Sequence, residues 1–180
     1  MFKKSGFTML ESIIFILITS LLLIIALPGI FGFSRWNALE ENGRKIEAVF
    51  IKARYLAASF NMRHRVYFNP SANCFYIHCD KNNNRTFDRG EKIIGPYFLT
   101  DGVKFSCDHI IGPPSNPHKQ PSSPVTFNRH IASCSPTGVW SNPGTVYLKD
   151  KNGDYLAITL NIKGVIRMYW WDRDEKRWKN

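Results

Sequence analysis

Twelve consecutive residues, Asp80-Lys-Asn-Asn-Asn-Arg-Thr-Phe-Asp-Arg-Gly-Glu91, are the densest cluster of oxygen donors in the chain. Asp80, Asn82, Asn84, Asp88 and Glu91 stand at the spacing with which a calcium loop wraps one Ca2+ ion, and Thr86 would offer its main-chain carbonyl. Arg85 replaces the glycine on which such a loop turns and adds a positive charge. The flanks read as strands, not helices. The other reading is a polar hairpin loop that hydrogen-bonds to itself. No further cofactor is implied.

Cys74, Cys79, Cys107 and Cys134 form the second group. In an exported domain such thiols oxidise in pairs, with three possible connectivities. Cys107 with Cys134, on separate strands, and Cys74 with Cys79, close in sequence, are the favoured pairs. Zinc would call for C-x-x-C knuckles, which the sequence lacks. His64, His78, His109, His118 and His130 do not join a Ser or Cys in a catalytic pattern. There is no phosphate-binding glycine loop, H-E-x-x-H or nucleophile elbow. The chain is expected not to be an enzyme.

The third group is the tail. Lys163, Arg167, Arg173, Lys176, Arg177 and Lys179 are interleaved with Trp170, Trp171 and Trp178. Stacking rings on a basic track hold single-stranded nucleic acid. The plainer reading has Trp170 or Trp171 plugging the end of a β-core, with the charges as a solvated edge.

These groups need a scaffold. The chain has 180 residues, 44% apolar and 21% charged, which excludes a disordered or collagen-like polymer. A formal charge of +10 favours polyanionic partners or anionic membrane surfaces. Mean hydropathy is −0.23, which excludes a polytopic membrane protein. The apolar sequence is concentrated at the N-terminus. Ser12 to Ser34 is uncharged, and as a helix it would be ~35 Å long, enough to cross a bilayer core of ~30 Å. Lys3 and Lys4 would remain cytoplasmic. Pro28-Gly29-Ile30 is a poor site for signal cleavage. Glu11 is the exception to a plain anchor, because a carboxylate in an apolar span needs a partner.

Lys3-Lys4-Ser5-Gly6-Phe7-Thr8-Met9-Leu10-Glu11 resembles the leader junction of type IV prepilins and type II secretion pseudopilins. A basic leader ends in Gly6, Phe7 follows, and Glu11 is the fifth residue after the junction. Pro28 within the apolar helix also matches. The resemblance implies a leader over 1–6, cleavage after Gly6 by a prepilin peptidase, and N-methylation of Phe7. It implies a bacterial inner-membrane, single-pass protein with a periplasmic C-terminal domain that joins a pilus or pseudopilus. In that filament Glu11 would pair with the α-amino group of a neighbouring subunit.

Downstream, Trp36, Leu39, Gly43, Ile46, Phe50, Ala53, Ala57 and Phe60 recur at alternating intervals of three and four, one stripe of an amphipathic helix over 35–61. Its small residues suit packing on a sheet. With an assembly helix over 7–34 this makes one long helix, bent near Pro28. From 62 to 180 the sequence reads as β. Strands are expected at Arg63–Phe68, Cys74–His78, Lys92–Leu99, Val103–Cys107, Val125–Phe127, Ile131–Cys134, Thr145–Lys149, Tyr155–Ile162 and Val165–Trp171. Turns fall at Asn69-Pro70, Asp101-Gly102, Asn152-Gly153 and Lys163-Gly164, and a proline-rich surface loop spans Gly112–Pro124.

Ser135-Pro136-Thr137-Gly138, Gly144-Thr145-Val146-Tyr147-Leu148 and Gly164-Val165-Ile166-Arg167 resemble the C-terminal domain of the GspH/FimT pseudopilin group. That resemblance implies an α+β, pilin-like fold, a long N-terminal helix on an antiparallel β-domain. It implies a minor pilin or pseudopilin whose partners are other such subunits. DNA or an exported protein is the alternative ligand of the β-domain. The Gly-Arg-x-Arg tail associated with DNA binding in the FimT type carries over only at Arg167, because Val165 stands at the first arginine.

Overall fold

The computed structural model describes residues 9–84, 86–100, 102–112 and 120–179; the side chains of 25–37 are not among them. Gly6, Phe7 and the bend expected at Pro28 therefore lie outside the described residues. Helical backbone, α1, is assigned over Met9–Ser59. The chain divides within it into two compact units, Met1–Asn37 and Ala38–Asn180.

In the first unit the described apolar side chains from Met9 to Ile24 are exposed, Leu10 and Ile24 among them. Thr19 Oγ donates to the carbonyl of Phe15 at 2.5 Å and Ser20 Oγ to that of Leu17 at 2.9 Å, so the helix satisfies its own hydroxyls. Among the described residues no helix is long and apolar enough to cross a membrane. The expected span, Ser12–Ser34, includes 25–34, whose side chains are not described.

The second unit is α+β. Its strands are β1 (Arg63–Asn69), β2 (Cys74–Asp80), β3 (Ile93–Phe98), β4 (Lys104–Phe105), β5 (Ile131–Cys134), β6 (Gly144–Lys149), β7 (Tyr155–Leu160), β8 (Ile166–Asp172) and β9 (Arg177–Lys179). They form two sheets, β3-β2-β1-β5 and β4-β6-β7-β8-β9. All the pairings are antiparallel. The segment expected at Val125–Phe127 contributes a single bridge, Val125 to Val146, and β9 was not foreseen.

Strand alternation gives each sheet one inner face. Val66, Phe68, Phe75, Ile77 and Ala132 from the first sheet, Val146, Leu148, Leu156, Ile158 and Leu160 from the second, and Leu39, Ile46, Phe50, Ala53 and Ala57 of the helix belong to one core. Phe50 lies at the centre, its ring 5.4 Å from that of Trp140 and 5.9 Å from those of Phe68 and Phe127. The expected stripe is therefore buried from Leu39 to Ala57. Phe60 departs from it and is 60% exposed, because the helix ends at Ser59 and the chain turns away.

Gly43 explains the small residue in the stripe. A Cβ there would stand 2.6 Å from Leu156 Cδ2, so the helix lies against the sheet at a distance only glycine allows. Asn42, polar and fully buried, pins the same turn. Its Oδ1 accepts the Thr100 N–H at 3.0 Å and its Nδ2 donates to the Ala38 carbonyl at 2.8 Å.

The outer face of the second sheet carries a smaller core of Ile110, Tyr147, Tyr155 and Ala157, with Cys107, Tyr169, Trp171 and Trp178 packed on it.

Candidate functional site

The loop between β2 and β3 is held to the outer face of the first sheet by two buried contacts, the Arg65–Asp80 ion pair and a His78–Glu91 hydrogen bond. Alternation along β1 and β2 sends Arg65, His78 and Asp80 to that face, because Val66 and Ile77 take the core. Arg65 donates from Nε to Asp80 Oδ2 at 2.5 Å, from Nη1 to Ser133 Oγ at 3.2 Å and from Nη2 to Asn83 Oδ1 at 3.1 Å. His78 Nε2 lies 2.7 Å from Glu91 Oε2. Glu91 also accepts the backbone N–H groups of Asp88 and Lys81. The Asp88 N–H, aided by His78 and Lys81, lowers the Glu91 carboxyl to about 2.

The other four expected calcium ligands close on one another. Asn82 and Asn84 each donate Nδ2 to Asp88 Oδ2 at 2.6 Å. Asn82 Oδ1 accepts the Asn84 N–H, and Asn84 Oδ1 accepts the Thr86 N–H at 2.8 Å. These are the local turns that asparagine favours. Asp80 and Glu91, the two ends of the candidate loop, face Arg65 and His78. Among the described residues no group of three or more His, Cys, Asp or Glu is arranged to hold a metal ion. The arrangement is a self-bonded loop clasped to the sheet. The partners Arg65 and His78 were not assigned to it from sequence; the hairpin parity that aligns them with Asp80 was the available signal.

The cysteine pairing is corrected. All four thiols are free. Cys74 and Cys79 lie on one strand five residues apart, which puts them on the order of 16 Å from one another, beyond the reach of a disulfide. Cys134 is in the main core and Cys107 in the smaller one on the far side of the second sheet, so the Cys107–Cys134 pair is separated by that sheet. Burial pushes the Cys134 thiol up to about 11 and raises those of Cys79 and Cys107.

The basic tail is divided. Lys163 and Arg167 lie at one end of β8 and Arg173, Lys176 and Arg177 at the other, roughly 20 Å away at 3.3 Å per residue. Arg173 pairs with Asp154 at 2.8 Å, Arg177 with Glu175, and Lys179 with Asp172 at 2.5 Å. The tryptophans are structural. Trp170 packs on the main core, while Trp171 and Trp178 meet edge-on with centroids 5.1 Å apart. The tail thus lacks the continuous cationic track expected of a nucleic-acid contact.

Each tail cluster borders a groove. One, of about 420 Å3, is lined by Thr145, Thr159, Asn161, Arg167 and Tyr169. The other, of about 560 Å3, is lined by His109, Lys149, Tyr155, Trp171, Arg173 and Lys176. Lys149 and Tyr155 come to it because β6 and β7 pair in a register that sets them opposite each other. That register was readable in the Asn152-Gly153 turn, although neither residue was singled out from sequence.

No family model matches the chain, and no curated protein matches it. Among solved structures it is similar to the minor pseudopilin EpsH from the type 2 secretion system of Vibrio cholerae. The TM-score is 0.48 at 10% identity, over 72% of this chain and 94% of that one.

Proposed function

We propose that this chain is a minor pilin or pseudopilin subunit. It enters the bacterial inner membrane with its basic leader in the cytoplasm, is cleaved after Gly6 by a prepilin peptidase and is N-methylated on Phe7. The apolar helix then joins a type IV pilus or a type II secretion pseudopilus, with the β-unit on the periplasmic side. The observation that carries this reading is Glu11, five residues beyond a Gly6-Phe7 junction and inside an otherwise apolar run. Two features support it. Thr19 and Ser20 satisfy their hydroxyls within the helix, as an apolar surrounding requires. The second unit is α+β with antiparallel sheets, the architecture the resemblance implies.

A simple anchor gains from losing a carboxylate in its apolar span, whereas a filament subunit needs that charge to meet the Phe7 amino group of a neighbour. Glu11→Ala should therefore leave expression, insertion and leader cleavage near normal and abolish co-purification with the other subunits from detergent extracts. Co-purification equal to that of the parent would remove Glu11 as an assembly contact and leave the filament role resting on the sequence resemblance alone.

A further inference from the structure

Three cationic side chains, Lys149, Arg173 and Lys176, line the groove around Trp171. Lys149 Cε and Arg173 Nη2 both come within 4 Å of the point where a Cβ would stand on Gly153, at 3.8 and 3.3 Å. The two cationic side chains thus converge over one stretch of bare backbone. Lys176, at φ 48° in the following turn, adds a third. Asp154 offsets Arg173 alone. Asp150 caps its own turn by accepting the N–H groups of Asn152 and Asp154, and the Asp108 carboxylate, beside His109, accepts the Ser106 hydroxyl. Among the described residues no ion pair engages Lys149 or Lys176. Arg173 and Lys176 are exposed and Lys149 is half-buried; like charges gathered at one solvated groove repel weakly, and a multiply charged anion bound among them offsets that repulsion.

The rings narrow the choice of anion. Lys149 Nζ stands 5.1 Å from the centroid of Tyr155 and covers that ring, which is further fixed by donation from its hydroxyl to the Asp108 carbonyl. Trp171 is edged by Trp178, whose Nε1 donates to the carbonyls of Ile111 and Gly112. Of the Tyr155 and Trp171 rings at the groove, Tyr155 is the one that a cation covers among the described residues. Single-stranded nucleic acid is held by successive stacking platforms along a cationic track, and this groove supplies one platform. One aromatic surface beside a cluster of cations matches one ring carrying one multiply charged oxyanion. A sugar ring has the apolar C–H face that would lie on Trp171, and about 560 Å3 lies within the usual range for a small-molecule site.

We propose that this groove binds a phosphorylated sugar unit, with the sugar against Trp171 and the phosphate between Lys149, Arg173 and Lys176. The site is independent of the filament reading, because it lies wholly in the β-unit.

The test is a tryptophan-fluorescence titration of the full chain in detergent. The probes are glucose 6-phosphate, glucose, inorganic phosphate and an oligothymidylate. The proposal expects saturable quenching by glucose 6-phosphate, with glucose and inorganic phosphate each at least roughly tenfold weaker. Lys149→Gln and Lys176→Gln should each weaken the sugar phosphate about five- to tenfold while keeping the parent melting temperature. Arg167→Gln, at the other groove, should leave it unchanged. No saturable response to glucose 6-phosphate would overturn the proposal, as would an equal loss in Arg167→Gln. Inorganic phosphate binding as well as the sugar phosphate would remove the sugar. Preferential binding of the oligothymidylate, falling steeply with salt, would assign the groove to nucleic acid instead.

Discussion

Arg65 reaches past His78, its register partner on the neighbouring strand, to Asp80, and the two side chains pair with 5% and 0% exposure. Beside them His78 takes Glu91 from the far end of the same loop. The twelve residues from Asp80 to Glu91 are therefore anchored at both ends by Arg65 and His78 from one sheet face. A buried charge left without its partner is costly, commonly about 3–5 kcal/mol, whereas removal of both charges in favour of apolar groups is often neutral. Arg65→Met should lower the unfolding free energy by about that amount. Arg65→Met with Asp80→Leu should recover most of it. Urea melts of the three proteins measure the difference; equal losses in the single and double variants would show that packing, not charge, sets the cost.

The Glu91 carboxyl is lowered from 4.5 to about 2 in the folded chain. A depressed carboxylate binds protons more readily in the unfolded state, so its stabilisation is present above pH 4.5 and is lost as pH falls through about 2. Asp172, lowered from 3.8 to about 2 chiefly by the Glu175 N–H and by Lys179, acts in the same direction. In thermal melts the carboxylate contribution should hold steady from neutral pH to about 4.5 and decline below it, while His64, lowered by burial, already costs stability as pH falls below 6.5. Glu91→Gln should lower the neutral-pH melting temperature and flatten the acid decline.

Calcium would have to displace Arg65 from Asp80 and His78 from Glu91 before those carboxylates could coordinate it. A ligand that binds the native state raises its stability by RT ln(1 + [L]/Kd). Millimolar calcium should accordingly leave the melting temperature of the full chain unchanged. An increase that disappears in Asp88→Ala would show that the loop opens to take the ion.

Gly43 faces Leu156 across the helix–sheet contact, with 2.6 Å left for a Cβ. Overpacking of this kind typically costs 1–3 kcal/mol. Gly43→Ala should destabilise the β-unit by about that much, and Leu156→Val in the same chain should return part of it. Denaturant midpoints of the two variants would decide; a neutral Gly43→Ala would mean the helix can lift from the sheet without loss.

Gly6→Leu should leave the leader attached, and N-terminal sequencing of the purified chain reads the outcome. A chain that still begins at Phe7 would remove the prepilin peptidase reading.

The N-terminal order of charge, glycine, aromatic residue and apolar run is a local pattern whose implied leader junction lies outside the described residues. The buried stripe from Leu39 to Ala57 was legible, since helical spacing alone decides which side chains share a face. Most of the strands followed from alternation and turn residues, β9 excepted. Its three residues are too short to show a period, and they pair only because Trp178 packs against Trp171 and Tyr147. The oxygen spacing of Asp80–Glu91 is a one-dimensional pattern that fits two three-dimensional arrangements. Which side chains turn inward was decided by β1, which brings Arg65 beneath Asp80. The cysteines show the same division. Sequence gives their separation along the chain, but whether two thiols can meet depends on strand parity and on which sheet lies between them. The groove at Trp171 gathers residues as far apart as His109 and Lys176. No local signal joins them, because their proximity comes from the β6–β7–β8 register and from the packing of the residues around Ile110 on the outer sheet face.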